Sequence, residues 1–313
     1  MTTFTSFAQN FEDVILWRVF KNISSGFYID VGANDPVVDS VSYALYQIGW
    51  RGIHVEPVPG YARRLRASRP DETVVEAAIS ESPEELLLYD IANTGMSTGR
   101  QDIANRHMQS GFDSEPIRVK TKTLEEILGM AKDKDVHWLK IDVEGMEACV
   151  LKSWGASAVR PWVVVVECVD PNSKESNFQE WESHLVSRGY EPAYFDGLNR
   201  FYLHHAHAEL RAGFDAPPNI LDNFILTEAS GFARGLAEKI AAAKAETHHF
   251  SMHAASRDQE ASKAVDAMRI QAEAFSDALS EHRNELVRAR AEIARLQEGI
   301  FMKLKRALKS HKR

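Results

Sequence analysis

Cysteine is nearly missing from this chain: Cys149 and Cys168 are the only two in 313 residues. So few exclude a disulfide framework or a cysteine-rich metal site, and both lie in apolar stretches that suggest buried free thiols. Long apolar runs are missing too. The longest, Trp162–Val166, falls far short of a membrane span. The first residues lack a basic stretch followed by an apolar one, so no secretory signal is expected and the protein reads as cytoplasmic. Glycine is absent where a dinucleotide or triphosphate would need it: neither G-x-G-x-x-G nor G-x-x-x-x-G-K-[ST] occurs. Basic charge is scarce in the main body. The net charge is −8, and residues 263–313 hold twelve Lys/Arg against seven Asp/Glu (+5), which leaves −13 for residues 1–262. An acidic body excludes a broad nucleic-acid-binding face, which would need clustered lysine and arginine.

What is present is an ordinary globular composition, 44% apolar and 26% charged, long enough for one α/β domain with an appendage. Phe7, Phe11, Val14, Ile15 and Val19 have helical spacing and predict an opening helix over 6–20. Strand-like runs follow at 27–33, 52–57, 73–80, 85–90, 137–144 and 162–168. Helical stretches lie between them at 42–49, 61–68, 146–154 and 178–189. That alternation predicts a doubly wound, mostly parallel sheet. Residues 192–197 and 199–205 read as a late antiparallel hairpin.

The globular pattern covers residues 1–226. Residues 227–262 read as a linker or loose helix, and a heptad repeat then fills 263–313. Val265, Ala272, Leu279, Leu286, Ile293, Ile300 and Ala307 recur every seven residues, with Met268, Phe275, His282, Ala289 and Leu296 interleaved. This predicts a coiled coil, roughly 65 Å long, that assembles copies of the chain; a helix folded back on the domain is the alternative. The tail 301–313 has six basic residues and no acidic one. It offers a contact to anionic lipid at the membrane periphery, or a solvated end.

Chemistry concentrates at strand ends. Asp30 and Gly32 close the first strand of the sheet, where open α/β sheets bind ligands, and Asp35 suits a cap on the following helix. Gly32 allows a tight turn and close approach of a ligand. Glu56 ends the next strand and could accept hydrogen bonds from both ribose hydroxyls of an adenosine cofactor. Ala78 and Ile79 would line the adenine pocket. A single glycine favours a cofactor without a pyrophosphate, a sulfonium nucleoside over NAD. In His137–Gly145, a period of two puts Lys140, Asp142 and Glu144 on one face. Charges in a central strand cost desolvation unless they are paired or functional, so Asp142 and Glu144, with Glu167 on the next strand, are candidates to take a proton from a hydroxyl. A structural Lys140–Asp142 pair is the competing interpretation. With no third ligand identifiable beside Asp142 and Glu167, a base ranks above a divalent metal, and no metal site is expected. His204, His205 and His207 lack the spacing of a metal site.

In order along the chain, Ser6-x-x-Gln9-x-x-Glu12-Asp13, Gly26–Asp35, Arg51–Pro57, Gly95–Thr98, Leu139–Gly145, Arg160–Trp162 with Glu167, and Asp196–Tyr202 resemble the FkbM-type methyltransferases. The resemblance covers roughly 6–226. It implies a class I methyltransferase fold with a Rossmann-like sheet, S-adenosylmethionine as cofactor, and O-methylation of a small-molecule or glycan hydroxyl. Carried over by position, it implies cofactor contacts from Asp30, Gly32, Asn34 and Glu56, with Asp142 facing the methyl group; Gln9, Val31, Ala33, Pro57, Ala78 and Ile79 complete the expected cofactor site. The ending Asp196-Gly-Leu-Asn-Arg-Phe201 is similar to domains found beside glycosyltransferases. That implies a sugar of a bacterial surface polysaccharide as acceptor and a glycosyltransferase as neighbour. A non-glycan natural product as acceptor, or a coiled-coil scaffold with a methyltransferase-like domain, are the alternatives.

Overall fold

The computed structural model describes residues 3–82, 84–92, 94–169 and 176–310. The chain divides into two units, Met1–Ala237 and Glu238–Arg313. The first begins with β1 (Phe4–Ser6) and α1 (Glu12–Val19). The opening helix therefore starts six residues later than its apolar spacing predicts. The buried Asp13 carboxylate accepts the amides of Phe7 and Ala8 and the Ser6 hydroxyl, which folds the preceding residues into a turn.

There follow β2 (Phe27–Val31), α2 (Tyr43–Gln47), β3 (Arg51–Val55), α3 (Pro59–Ser68) and β4 (Thr73–Val75). Next come β5 (Ala78–Ile79), β6 (Glu85–Asp90), α4 (Gln101–Gln109), β7 (Glu115–Lys122) and α5 (Leu124–Met130). The unit continues with β8 (Val136–Ile141), α6 (Glu147–Lys152), β9 (Val163–Glu167), α7 (Glu182–Val186), β10 (Tyr190–Phe195) and β11 (Asn199–His204). Finally β12 (Phe224–Leu226) lies parallel to β1.

Seven strands form the main sheet in the order β10-β11-β9-β8-β2-β3-β4. β2, β3, β4, β8 and β9 run parallel, and β11 is antiparallel to both β9 and β10. From β2 the chain winds outward to β3 and β4, then returns to β8 and winds the other way. The winding reverses between β2 and β8, and the crevice at their carboxyl ends is the expected ligand site of such a sheet.

Alternation along these strands builds a core on each face. Ile29, Val31, Leu139, Ile141, Val164 and Val166 pack with residues of α5, α6 and α7. Tyr28, Trp138, Val163 and Val165 pack with α1 on the other face, where the Tyr28 and Trp138 rings stack at 4.6 Å. Each such buried side chain contributes about 1.5–3 kcal/mol, and strands covered on both faces can be nearly all apolar.

The run 73–80, expected as one strand, is two. Val75 O accepts the amide of Ala77 in a tight turn, and Ala78–Ile79 then pairs with Thr121 and Lys122 of β7. The resulting small sheet, β5-β7-β6, with α4 and α5, was not anticipated. Of these, α5 carries a legible signal: Thr123 and Glu126 form a reciprocal capping box. Cys168 is buried as expected, but Cys149 is only partly so, because α6 turns it off the core.

In the second unit one helix, α8 (Arg234–Ser310), spans the boundary and continues without a break at residue 263. The stretch read as linker or loose helix is thus helical from Arg234 onward. Val265, Met268, Phe275, Leu279, Leu286, Ile293 and Leu296 are all exposed along it. Residues 311–313 of the basic tail lie outside the described residues. Among the described residues no helix is long and apolar enough to cross a membrane.

Candidate active site

Gly32 follows β2 with φ +84°, and a Cβ there would lie 1.7 Å from the Asp142 carbonyl oxygen. Only glycine fits. The close approach predicted for a ligand is made by the chain itself, which locks the end of β2 to the end of β8. The amides of Gly32 and Ala33 donate to Val55 O, and the amide of Asn34 donates to Glu56 Oε2 at 2.8 Å. Glu56 Oε1 accepts the Val58 amide at 2.8 Å. Glu56 thereby ties the turn after β2 to the turn after β3, while each oxygen keeps an acceptor position free for a ligand. Burial pushes its carboxyl up to about 7. The buried Asn34 Oδ1 has no hydrogen-bond partner among the described residues.

Asp35 does not cap a helix. Its Oδ1 accepts the amides of Val37 and Val38, and the next helix begins only at Tyr43. Asp30 is buried and accepts the Ser42 hydroxyl at 2.8 Å. Ser42 in turn receives Arg69, which is fully buried and also donates to Ser40 and to Pro36 O.

Across the crevice, Asp30 and Lys140 are neighbours in the β2–β8 register. Lys140 Nζ donates to Asp142 Oδ2 at 2.5 Å. Burial alone would lower the ammonium; Asp142, Glu12 and Asp30 outweigh it and hold Lys140 above its ordinary value. β8 ends at Ile141, so the period of two that grouped Glu144 with Lys140 and Asp142 stops before Glu144. Glu144 instead has left-handed backbone, φ +52°, and its carbonyl accepts the buried Thr98 hydroxyl at 2.7 Å. That turn brings its carboxylate to the others all the same. Oxygens of Asp142, Glu144 and Glu167 all lie within 4.8 Å of one another. Glu144 thus supplies the third potential metal ligand that was not identifiable from the sequence beside Asp142 and Glu167.

Burial raises both acids, but Lys140 and a hydrogen bond from Glu167 leave Asp142 below its ordinary value. Burial and the negative charges of Asp142 and Glu144 push Glu167 well up. Of the two, Glu167 is therefore the more readily protonated and Asp142 the more acidic.

Every residue singled out from the sequence for cofactor or proton chemistry lines one cavity of about 250 Å³ at the switch point. Glu12, notable in the sequence only as part of the family motif, is there too. Burial and Asp196, partly offset by Lys140, push its carboxyl up to about 7. Its place in an amphipathic helix hid it; an acidic pair at a helix start reads as a dipole partner. The loop Thr94–Ser97 closes the cavity from the small sheet. The histidines at 204–207 stand apart, with His207 stacked on Trp162 at 3.9 Å.

A seven-stranded sheet in this order, with its ligand cavity at the β2–β8 switch point, has the class I methyltransferase architecture. The methyltransferase FkbM domain model matches residues 30–192, just over half of the chain, and the chain belongs to that family. It is a methyltransferase. It is also similar to the solved precorrin-6y C5,15-methyltransferase of Geobacter metallireducens (14% identity, 57% of this chain and 70% of that one, TM-score 0.29). A TehB-like S-adenosylmethionine-dependent methyltransferase of Corynebacterium glutamicum is similar at 9% identity over 61% and 87% of the two chains, TM-score 0.33. So is a putative S-adenosylmethionine-dependent methyltransferase of Methanococcus maripaludis, at 10% identity over 62% and 84%, TM-score 0.33. Comparison with curated proteins finds no match.

Proposed function

We propose that the chain is an S-adenosylmethionine-dependent O-methyltransferase whose acceptor is a hydroxyl of a sugar in a glycan or glycan precursor. The observation that carries the cofactor is the charge of the cavity. Its walls hold seven carboxyl groups, Glu12, Asp30, Asp39, Glu56, Asp142, Glu144 and Glu167, several of them raised by burial, and Lys140 is the one cation among the described lining residues. A cationic ligand complements such walls, and an anionic pyrophosphate does not. The unpartnered Asn34 Oδ1 and the free acceptor positions of Glu56 suit the donors of a nucleoside.

When bound, S-adenosylmethionine supplies a methyl group already activated on sulfur. The chain's part is alignment and proton removal. Glu56 and Asp30 orient the ligand from the β2–β3 side. Lys140 keeps Asp142 ionised, and Asp142 with Glu167 accepts the proton of the acceptor hydroxyl. The cofactor assignment is tested by calorimetric titration with S-adenosylmethionine. Binding is expected, with its loss in Asp30→Ala and Glu56→Ala; unchanged binding in both variants defeats it. The glycan assignment is tested by mass spectrometry of glycans from a deletion strain, where one sugar should lack one methyl group.

The triad Asp142, Glu144 and Glu167 favours a second reading, in which a divalent cation holds the acceptor as an alkoxide. Lys140 already occupies one Asp142 oxygen, which ranks the base first. Dialysis against EDTA decides: activity that survives supports the base, and activity restored only by magnesium supports the cation.

We also propose that α8 pairs with a second copy of itself. An isolated helix with this much exposed apolar surface gains its stability from packing, and a heptad seam is the surface for it.

A further inference from the structure

Beside the cofactor cavity lies an open cleft of about 550 Å³, and Gln9 and Leu198 belong to the walls of both. Its floor is the turn between β10 and β11. Asp196 Oδ1 accepts the amides of Leu198 and Asn199 at 2.8 and 2.6 Å, and Oδ2 accepts Asn199 Nδ2 at 3.1 Å, so this turn is rigid. Asn199 Nδ2 also donates to Glu12 Oε1 at 2.8 Å, which ties the cleft floor to the acidic edge of the cavity. Asn10 forms one side, its Nδ2 on Asp196 O at 3.3 Å. Phe232 also lines it, 63% exposed, its ring 4.7 Å from that of Phe11.

The lining chemistry is specific. One exposed aromatic ring stands beside two carboxamides, Gln9 and Asn10, and among the described residues no lysine or arginine lines the cleft. A phosphorylated or carboxylated group would need charge-assisted donors, which are absent from these walls. A neutral polyhydroxylated ring fits: its C–H face covers an aromatic ring and its hydroxyls exchange hydrogen bonds with carboxamides.

We infer that this cleft holds the uncharged sugar ring that receives the methyl group, stacked on Phe232 and hydrogen-bonded by Gln9 and Asn10. The reacting hydroxyl passes between Gln9 and Leu198 toward Asp142 and Glu167. Its oxygen bonds to the methyl carbon as the carbon–sulfur bond breaks, the bonding pair goes to sulfur, and the hydroxyl proton goes to the carboxyl pair. This inference rests on the cofactor assignment above.

The test uses a nitrogen analogue of the cofactor as parent, extended by a graded series of tethers that end in glucose, with affinity measured by calorimetry on the full chain. The parent should bind wild type, Phe232→Ala and Asn10→Ala equally, since neither residue lines the cofactor cavity; this equality also reports that both variants fold. One or more tethered compounds should bind wild type about tenfold tighter than the parent and lose that gain in both variants. No gain at any tether length, or a gain that survives both substitutions, overturns the inference while leaving the cofactor assignment intact. A parent that fails to bind wild type overturns the cofactor assignment itself, and this inference with it.

Discussion

The Lys140 ammonium lies 2.5 Å from the Asp142 carboxylate, where the central strand β8 gives way to the turn that carries Glu144. Both groups are largely withdrawn from water, so each is the other's main compensation. Breaking a buried pair from one side leaves an uncompensated charge and costs about 3–5 kcal/mol. Lys140→Met is expected to lose stability of that order in urea denaturation. Lys140→Met/Asp142→Asn should lose less than the single variant, because the stranded carboxylate is gone. In labelled methyl transfer Asp142→Asn should fall about 10²–10⁴-fold, the usual contribution of a positioned base. Equal stability of the single and double variants would refute the pairing.

Much of this site was legible because its groups sit at strand ends. Asp30, Glu56, Asp142 and Glu167 each interrupt an apolar run at its carboxyl end, and that position in a parallel sheet is where side chains meet a ligand. Glu144 was legible as a candidate for a different reason from the one that places it: its strand ends early, and the Thr98 hydroxyl holds a left-handed turn that redirects it. Glu12 was legible only as part of the family motif and not as a site residue, because only the tertiary packing of α1 against Asn199 and Lys140 buries it. The small sheet was missed for a similar reason. β7 carries charges on a half-exposed surface, and its partner β5 is two residues long.

Glu56 gives cofactor binding a definite pH dependence. Burial first, then the negative charges of Asp90 and Asp30, raise its carboxyl to about 7, with the Val58 and Asn34 amides acting in the opposite direction. The ionised form accepts ribose hydroxyls and complements a cationic ligand. Between pH 8 and pH 6 the ionised fraction of a group titrating near 7 falls about tenfold, and affinity for S-adenosylmethionine should fall by up to that factor. Titration calorimetry across this range checks it. In Glu56→Gln the residual affinity should be flat with pH; an unchanged slope in that variant would remove Glu56 as the cause.

Glu12 and Asp13 carry a related consequence for stability. Burial raises them to about 7 and about 6, above their ordinary values of 4.5 and 3.8. A carboxyl whose folded value is raised contributes stability that is full below its unfolded value and is lost as pH rises through the folded one. The ligand-free protein should therefore melt at a higher temperature at pH 6 than at pH 8, by a few degrees for each kcal/mol involved. Glu12→Gln cannot titrate, so its melting temperature should change less across the same window, whatever its absolute value. Calorimetric melts of both proteins at the two pH values decide, and equal slopes would exclude Glu12.

The helical seam of α8 makes its own prediction about assembly. Leu279 and Leu286 occupy the same core position in successive heptads and are exposed in the single chain. Removing residues 263–313, or placing glutamate at both positions, should lower the mass measured by light scattering. Flanking charges set the orientation. In a parallel pair, Glu285 of one copy faces Arg290 of the other, because these are the positions that border the seam five residues apart. Glu285→Arg alone would set like charges against each other across the seam and weaken the pair, while Glu285→Arg/Arg290→Glu would restore it. Each contact is worth about 0.3–0.5 kcal/mol, so sedimentation near the dissociation midpoint is the sensitive measurement. Restoration by the double exchange supports a parallel pair. An antiparallel pair would leave Glu285 and Arg290 without each other, and the exchange would then give no recovery.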